Sequence, residues 1–351
     1  MSVDADDVQD SRVQVGPAVS QSLGAKAASV IPISVLTINL WQDQGPWQER
    51  IAYLIDQLTR LAPDVITTQE TRHVEGLEFL DVELGVPNQA ETIAHALGYH
   101  YVFHPVVEHH GGIEGLAIIS RFPIDKSEAK ALPTEKNRSP RACLFARLSA
   151  GTKTPLNIYT THLAYRLSDG LLREKQVVAV SDFVNDTRGE GYAVLCGDFN
   201  ADPDSDEIRY LGGKATLSDA EGNRKRYHLR DAFAEIAGKR AEAIRLAMAG
   251  GSTARVRSHG TAAAHPHAMY SHENHLSDTG YTWTSDNPYT ALIPFVPKNR
   301  RLDYIFVSAE RTGSDNAIVN CRTVLNQPNE SGIYCSDHFG VMADLLYAPT
   351  E

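Results

Sequence analysis

Short apolar runs separated by polar turns recur at residues 30–40, 64–70, 99–105, 115–120, 141–148, 156–162, 193–196, 301–307 and 335–341, each with the length of a buried strand. Between them, apolar residues spaced three and four apart predict helices. Ile51, Leu54, Ile55 and Leu58 line one face over residues 47–61, and Pro63 stops that helix. Further helices are expected at 90–97 and at about 169–186, the latter partly lined by Gln176, Val177, Val180 and Phe183. A last one is expected at 229–249, where Leu229, Phe233, Ile236, Ile244, Leu246 and Met248 punctuate an alanine-rich, charged stretch closed by Gly250-Gly251. Pro32 is tolerated in the first strand only at an edge. Many short strands with a few helices between them predict an α/β sandwich, two stacked sheets with helices outside. No internal repeat is visible in the sequence.

Two stretches lack any period. Residues 1–29 are polar, begin with Asp4, Asp6, Asp7 and Asp10, and have neither a basic nor an apolar region of the kind that directs secretion. They are expected to be a disordered tail, with residues 30–351 forming one domain that carries an inserted helix and loop at about 220–280. Residues 252–277 hold His259, His265, His267, His272 and His275, as in a long surface loop that could cover a site. Histidine-rich loops can bind zinc, but no carboxylate or cysteine frames a tetrahedral set here.

Composition narrows the class. Hydrophobic residues at 42% and charged residues at 22% suffice to bury two sheets and their helices. A net charge of −11 disfavours tight nucleic-acid binding, although a local basic rim can coexist with it. Cys143, Cys196, Cys321 and Cys335 stand far apart without zinc or redox spacing, which predicts buried thiols. No run approaches a membrane span, and a cytoplasmic location is expected.

The strand-like segments end in oxygen- or nitrogen-bearing side chains: Asn39, Glu70, His162, Asp198 with Asn200, and Asp303 and Asp337-His338 near the end of the chain. Phosphate esters resist hydrolysis because negative oxygens shield the phosphorus. Their cleavage needs a divalent cation, a base for water and donors for the developing charge. A hard carboxylate such as Glu70 suits Mg²⁺. In Gly197-Asp198-Phe199-Asn200 the two polar residues are two apart and would share one side of a strand end, with Phe199 turned into packing. A β-turn would explain the same residue types.

In this order, Thr-Ile-Asn-Leu at Asn39, Thr-Gln-Glu at Glu70, Thr-Thr-His-Leu at His162, Gly-Asp-Phe-Asn at Asp198, Arg-Leu-Asp-Tyr at Asp303 and Ser-Asp-His at His338 resemble the endonuclease/exonuclease/phosphatase superfamily over about residues 33–346. The resemblance implies a DNase I-like, four-layered α/β sandwich and hydrolysis of phosphoric esters with Mg²⁺, or Mn²⁺ in its place. It implies Glu70, Asn39 and Asp337 at the metal, and Asp198 as the base acting on the attacking water. Asn200, His162 and His338 would serve the phosphate, and Asp303 would fix the tautomer of His338.

Arg141, Arg173 and Trp283 are further candidates for substrate contact, with Arg138 and Arg166 beside them; for Trp283, core packing is weighed above stacking. Arg173 and Gln176 share a helix face behind the Thr-His-Leu motif. That motif resembles the sphingomyelinase and inositol-phosphatase branches, which implies a phosphorylated small molecule or lipid head group as substrate. A lipase working at a membrane would want a hydrophobic anchor or basic amphipathic helix, and neither is seen. A nuclease is the alternative, with 224–228 as a short basic and aromatic run. A non-catalytic scaffold would have lost a metal or water-activating residue, and none is missing.

Overall fold

The computed structural model describes residues 30–79, 82–109, 111–151, 154–249, 278–309 and 317–347; the expected tail at 1–29 and the histidine-rich stretch at 252–277 lie outside them. The first half of the chain runs β1 (Ile31–Asn39), α1 (Trp47–Leu61), β2 (Val65–Phe79), β3 (Val82–Val86), α2 (Gln89–Leu97), β4 (His100–His109), β5 (Gly112–Ser120), β6 (Ile124–Ala131), β7 (Ala142–Leu148) and β8 (Leu156–His162). There follow α3 (Gly170–Arg188), β9 (Tyr192–Asp198), α4 (Asp206–Leu211), β10 (Leu217–Ser218), β11 (Arg224–Lys225), β12 (Leu229–Asp231), α5 (Ala232–Ala249), β13 (Asp303–Ser308), β14 (Ala317–Val324) and β15 (Gly340–Tyr347).

One sheet has the order β14-β15-β1-β2-β5-β4 with β3 added beside β2, and the other has the order β12-β13-β9-β8-β7-β6. Each contains one parallel pair, β1 with β2 and β8 with β9, among antiparallel neighbours. Parallel neighbours need a crossover, and α1 and α3 supply the two. The paths β14-β15-β1-α1-β2-β5-β4 and β6-β7-β8-α3-β9-β13-β12 therefore have the same neighbours and pairing senses, a repeat of topology that the sequence does not display.

Three apolar clusters separate four layers, the α/β sandwich expected. Ile33, Val35, Val65, Ile158, Val194, Ile305 and Val341 lie between the sheets. Leu36, Ile38 and Ile66 pack outward on Leu54 and Leu58 of α1 and Ile93 of α2. Tyr159, Leu195 and Phe306 pack outward on Val177, Val180 and Phe183 of α3. Strands buried on both faces carry near-continuous apolar runs, which is why those segments lacked clean alternation.

Several expectations change; the run at 335–341, for one, is a loop that becomes strand β15 only at Gly340. Residues 229–231 form β12, pairing Leu229 with Ser308, and the helix begins only at Ala232. The buried strand β13 takes those three residues as its neighbour before helical spacing can act. Pro32 sits in a central strand, yet it precedes the residues that pair with β2, which begin at Val35. Strand β6, Ile-Asp-Lys-Ser-Glu-Ala-Lys-Ala, is an exposed edge and so has no apolar run to betray it. Strands β2 beyond Glu70 and β14 were likewise not anticipated.

The inter-sheet rows become polar toward one end of the sandwich. Ile33 and Val35 lead to Thr37 and Asn39; Leu156 and Ile158 lead to Thr160 and His162; Tyr192, Val194 and Cys196 lead to Asp198. Below that rim the buried Gln69 amide donates to Thr37 Oγ1 at 3.1 Å and Thr160 Oγ1 at 2.9 Å, tying one sheet to the other. Gly197 has φ 137°, and a Cβ there would stand 2.0 Å from the Thr161 carbonyl oxygen of β8. Gly197→Ala is expected to destabilise the fold by about 3 kcal/mol, from a strained backbone and a clash with main chain. An unchanged thermal midpoint in that variant would show that β8 and β9 can separate freely at the rim.

Candidate active site

Strand alternation alone delivers Asn39, His162 and Asp198 to the inter-sheet rim. Glu70 departs from it: by parity it would point outward with Ile66 and Thr68. The register of β2 against β5 slips between Thr68 and Thr71, and Glu70 takes a left-handed φ of 51°. That bulge turns its carboxylate inward, a strained conformation of the kind stored at functional sites.

The Asn39 amide spends both its N–H groups on acids, donating to Glu70 Oε1 and to Asp198 Oδ2, each at 3.1 Å. Its oxygen accepts from the Trp41 amide at 2.9 Å, which fixes which end of the amide faces the carboxylates. Asp198 also accepts the Asn200 backbone N–H at 2.9 Å, while the Asn200 side chain, on a residue with φ 50°, donates to the Leu163 carbonyl at 3.2 Å. Asp303, paired with Asp198 in the register of β13 on β9, accepts from His338 Nδ1 at 2.8 Å. The other ring nitrogen of His338 faces Asp198 Oδ2 at 3.9 Å. His162 Nε2 stands 3.5 Å from the same oxygen and 4.0 Å from Glu70 Oε1. Asp337 is buried and accepts from Ser336 Oγ at 3.2 Å.

Burial sets the electrostatics. It raises Glu70 to about 8, helped by the charges of Glu114 and Asp337 and opposed by the Asn39 hydrogen bond. It raises Asp198 to about 6, with Asp303 acting the same way and His338 and two hydrogen bonds opposing. Asp337 is raised by burial despite His338, Ser336 and Arg50. The histidines diverge. Burial, then Arg141 and His338, holds His162 well below its usual value. For His338 burial acts in the same sense but is outweighed by Asp303 and Asp198, leaving it well above.

The donor set is rich in hard oxygens and carries more negative charge than the neighbouring cations offset, so it fits a divalent cation. Asp198, Asp303 and His338 also place three ligand atoms within 4.8 Å of one another, a group able to hold a metal.

The remaining candidates divide. Trp283 is buried with its ring centroid 5.1 Å from that of His338, beside the site rather than away from it. The Arg141 guanidinium turns inward and donates to His162 Nδ1 at 2.9 Å. Arg173, weighed above for substrate contact, is buried behind the rim instead: it donates to Glu207 Oε1 at 2.6 Å and to the carbonyls of Ala164 and Arg166. With Gln176, which accepts the Ala164 N–H at 3.0 Å, it braces the chain just after His162.

Three neighbours of the site carried no signal in the sequence. Gln42 donates to Glu70 Oε2 at 3.4 Å and to Glu114 Oε2 at 3.0 Å, joining two acids. Glu114 sits amid an apolar run and belongs to no motif. Arg50, on the buried face of α1, donates to the carbonyls of Leu40, Trp41, Gln42, Gln44 and Cys335 and so clamps two rim loops. A charged residue in a helix looks solvated until the helix is packed.

With this geometry in place, the comparisons with known proteins are consistent. The model of the Endonuclease/Exonuclease/phosphatase family matches residues 36–338, and the chain belongs to that family. Its members are hydrolases acting on phosphoester bonds and are generally dependent on divalent metal. The chain is 28% identical to Nocturnin of Drosophila melanogaster over 172 residues, 45% of this chain and 24% of that protein, so it spans about a quarter of that relative's length. Among solved structures, D. rerio TDP2 complexed with single strand DNA product superposes with a TM-score of 0.59 at 19% identity, covering 90% of this chain and 98% of that one. The human Nocturnin catalytic domain with bound sulfate gives 0.53 at 18% identity, covering 90% and 96%. These likenesses establish the DNase I-like fold. Among the described residues no helix is long and apolar enough to cross a membrane.

The pKa shifts carry a sign. An acid whose folded value is raised keeps a proton that the unfolded chain has lost, so its contribution to stability is lost as pH rises through the folded value. Glu70, Asp198 and Asp337 all act this way, and His338, raised above the unfolded histidine value, acts in the same sense. His162 opposes them only as pH falls below its unfolded value. The metal-free protein should therefore lose thermal stability between pH about 6 and about 8, and Glu70→Gln should flatten that slope. Calorimetry in chelator across this range checks it; a midpoint that rises with pH would contradict the charge balance described.

Proposed function

We propose that this chain is a metal-dependent phosphoesterase that cleaves a phosphodiester or phosphomonoester by in-line attack of water. The observation that carries the proposal is the Asp303–His338 pair at 2.8 Å facing Asp198, itself joined to Glu70 through Asn39. Glu70 and Asp337 would hold Mg²⁺, or Mn²⁺ in its place, whose charge draws electron density from the phosphoryl oxygens. Asp198, close to neutrality in its pKa, accepts a proton from the attacking water or holds that water in line. His338, kept protonated by Asp303, donates to the phosphoryl oxygens as charge develops, and His162 and Asn200 add further donors. Trp283 packs beside the His338 ring and helps to hold it in place.

For the substrate we infer a phosphorylated small molecule or lipid head group rather than a polyanion, because the net charge of −11 opposes tight binding to nucleic acid. A nucleic-acid or nucleotide substrate is the second reading, supported by the likeness to a TDP2 that holds a DNA product.

With a chromogenic phosphodiester and Mg²⁺, Asp198→Asn should lower kcat by about 10³-fold and His338→Gln by about 10²-fold or more, with thermal midpoints near that of the parent. Chelation should abolish turnover and re-addition of Mg²⁺ should restore it. Near-parental turnover by folded Asp198→Asn would end this assignment. A panel of sphingomyelin, inositol phosphates, plasmid DNA and RNA then separates the substrate classes.

A further inference from the structure

We propose that Arg141 is a positioning residue for the phosphoesterase reaction, locking His162 as the tautomer whose N–H points into the site. The inference rests on the hydrolase reading for its catalytic consequence and on geometry for the lock itself. Arginine has only donors, so the 2.9 Å contact from Arg141 Nη1 requires His162 Nδ1 to present its lone pair. The ring proton is then on Nε2, the nitrogen that faces Asp198 and Glu70. A carboxylate behind an imidazole, as Asp303 is behind His338, commits Nδ1 to carry a proton. A guanidinium behind an imidazole commits it to carry none. The two histidines of one site are thus oriented by partners of opposite charge, and both can point an N–H at the same oxyanion.

Arg141 is built for this task rather than for phosphate. It is buried, its Nη1 lies 4.0 Å from Glu114 Oε1, and its Cζ is 5.8 Å from the Tyr165 ring centroid. Glu114 is in turn held by Gln42, which also reaches Glu70. The cavity lined by Glu114, Arg141 and His162 is about 10 Å³, space for about one water and none for a phosphate group. A run from Glu70 through Gln42, Glu114 and Arg141 returns to His162, so the metal-side carboxylate and the donor on the opposite sheet are set by one network.

Long-range ¹H–¹⁵N correlation spectra of the ¹⁵N-labelled, metal-free chain report which imidazole nitrogen is protonated, with His162 assigned by the signal missing from His162→Gln. The parent and Arg141→Lys should show His162 protonated on Nε2, and Arg141→Met should shift it toward Nδ1. On the chromogenic diester, Arg141→Met should lose about 100-fold in kcat with KM within about threefold, and Arg141→Lys should recover at least about tenfold of that loss. A parent spectrum with the proton on Nδ1 overturns the proposal whatever the variants' folding. So does an Arg141→Met protein that keeps Nε2 protonated, or one whose loss falls in KM, as for a substrate-binding arginine. An inactive parent with Nε2-protonated His162 would instead sink the hydrolase reading and leave the lock standing.

Discussion

The arrangement depends on one amide. Asn39 stands at the rim between two sheets and gives one N–H to an acid of each, Glu70 from the first and Asp198 from the second. Burying carboxylates side by side is unfavourable unless donors or cations meet them. A neutral amide lowers that cost without supplying positive charge, so the acids stay close together, partly protonated and able to take up a cation. An arginine in the same place would pair with them and end their reactivity. Below the amide, Gln69 repeats the same device between Thr37 and Thr160, so the inter-sheet spacing at the rim is held by two layers of amide hydrogen bonds.

The shared topology of the two sheets explains why the site falls where it does. Each sheet has a parallel pair crossed by a helix; three of those four strands end at one pole, and β2 bulges there before running on. The first strand of each pair ends in a neutral donor, Asn39 or His162; the second carries an acid, Asp198 at the end of β9 and Glu70 at the bulge partway along β2. The outer strands complete the set, β13 with Asp303 and the turn before β15 with Asp337-His338. The halves then diverge in their supports. Glu70 reaches the site only through a bulge and a left-handed backbone, whereas Asp198 continues the regular alternation of β9. In both cases the carboxylate is oriented by hydrogen bonds from neighbouring donors, Asn39 and Gln42 for Glu70 and Asn39 and the Asn200 N–H for Asp198.

Much of this was legible in the chain. Apolar runs located β1, β5, β7, β8, β9 and β13, and helical spacing located α1, α2 and α3 within a few residues. These elements bury two faces or one broad stripe, and burial leaves a periodic trace. Strand β6 left none because it is an exposed edge. The start of α5 was misplaced because β12 pairs with a strand more than seventy residues away, and such pairing has no local signature. Motif residues were recognisable as a set, but Gln42, Arg50 and Glu114 were not, since each is an ordinary polar residue until a partner distant in sequence comes to face it.

The sequence by itself determined which apolar runs carry chemistry-bearing side chains in or beside them, because an apolar run and the polar residues next to it are both local facts. Only the tertiary structure decided how those side chains face one another. Glu70 points inward because of a register slip against β5, Arg173 is spent on Glu207 rather than on the rim, and Arg141 is turned onto His162. Each of these is a contact between segments far apart in the chain, and its energy exists only once the layers are stacked and water is gone from between them.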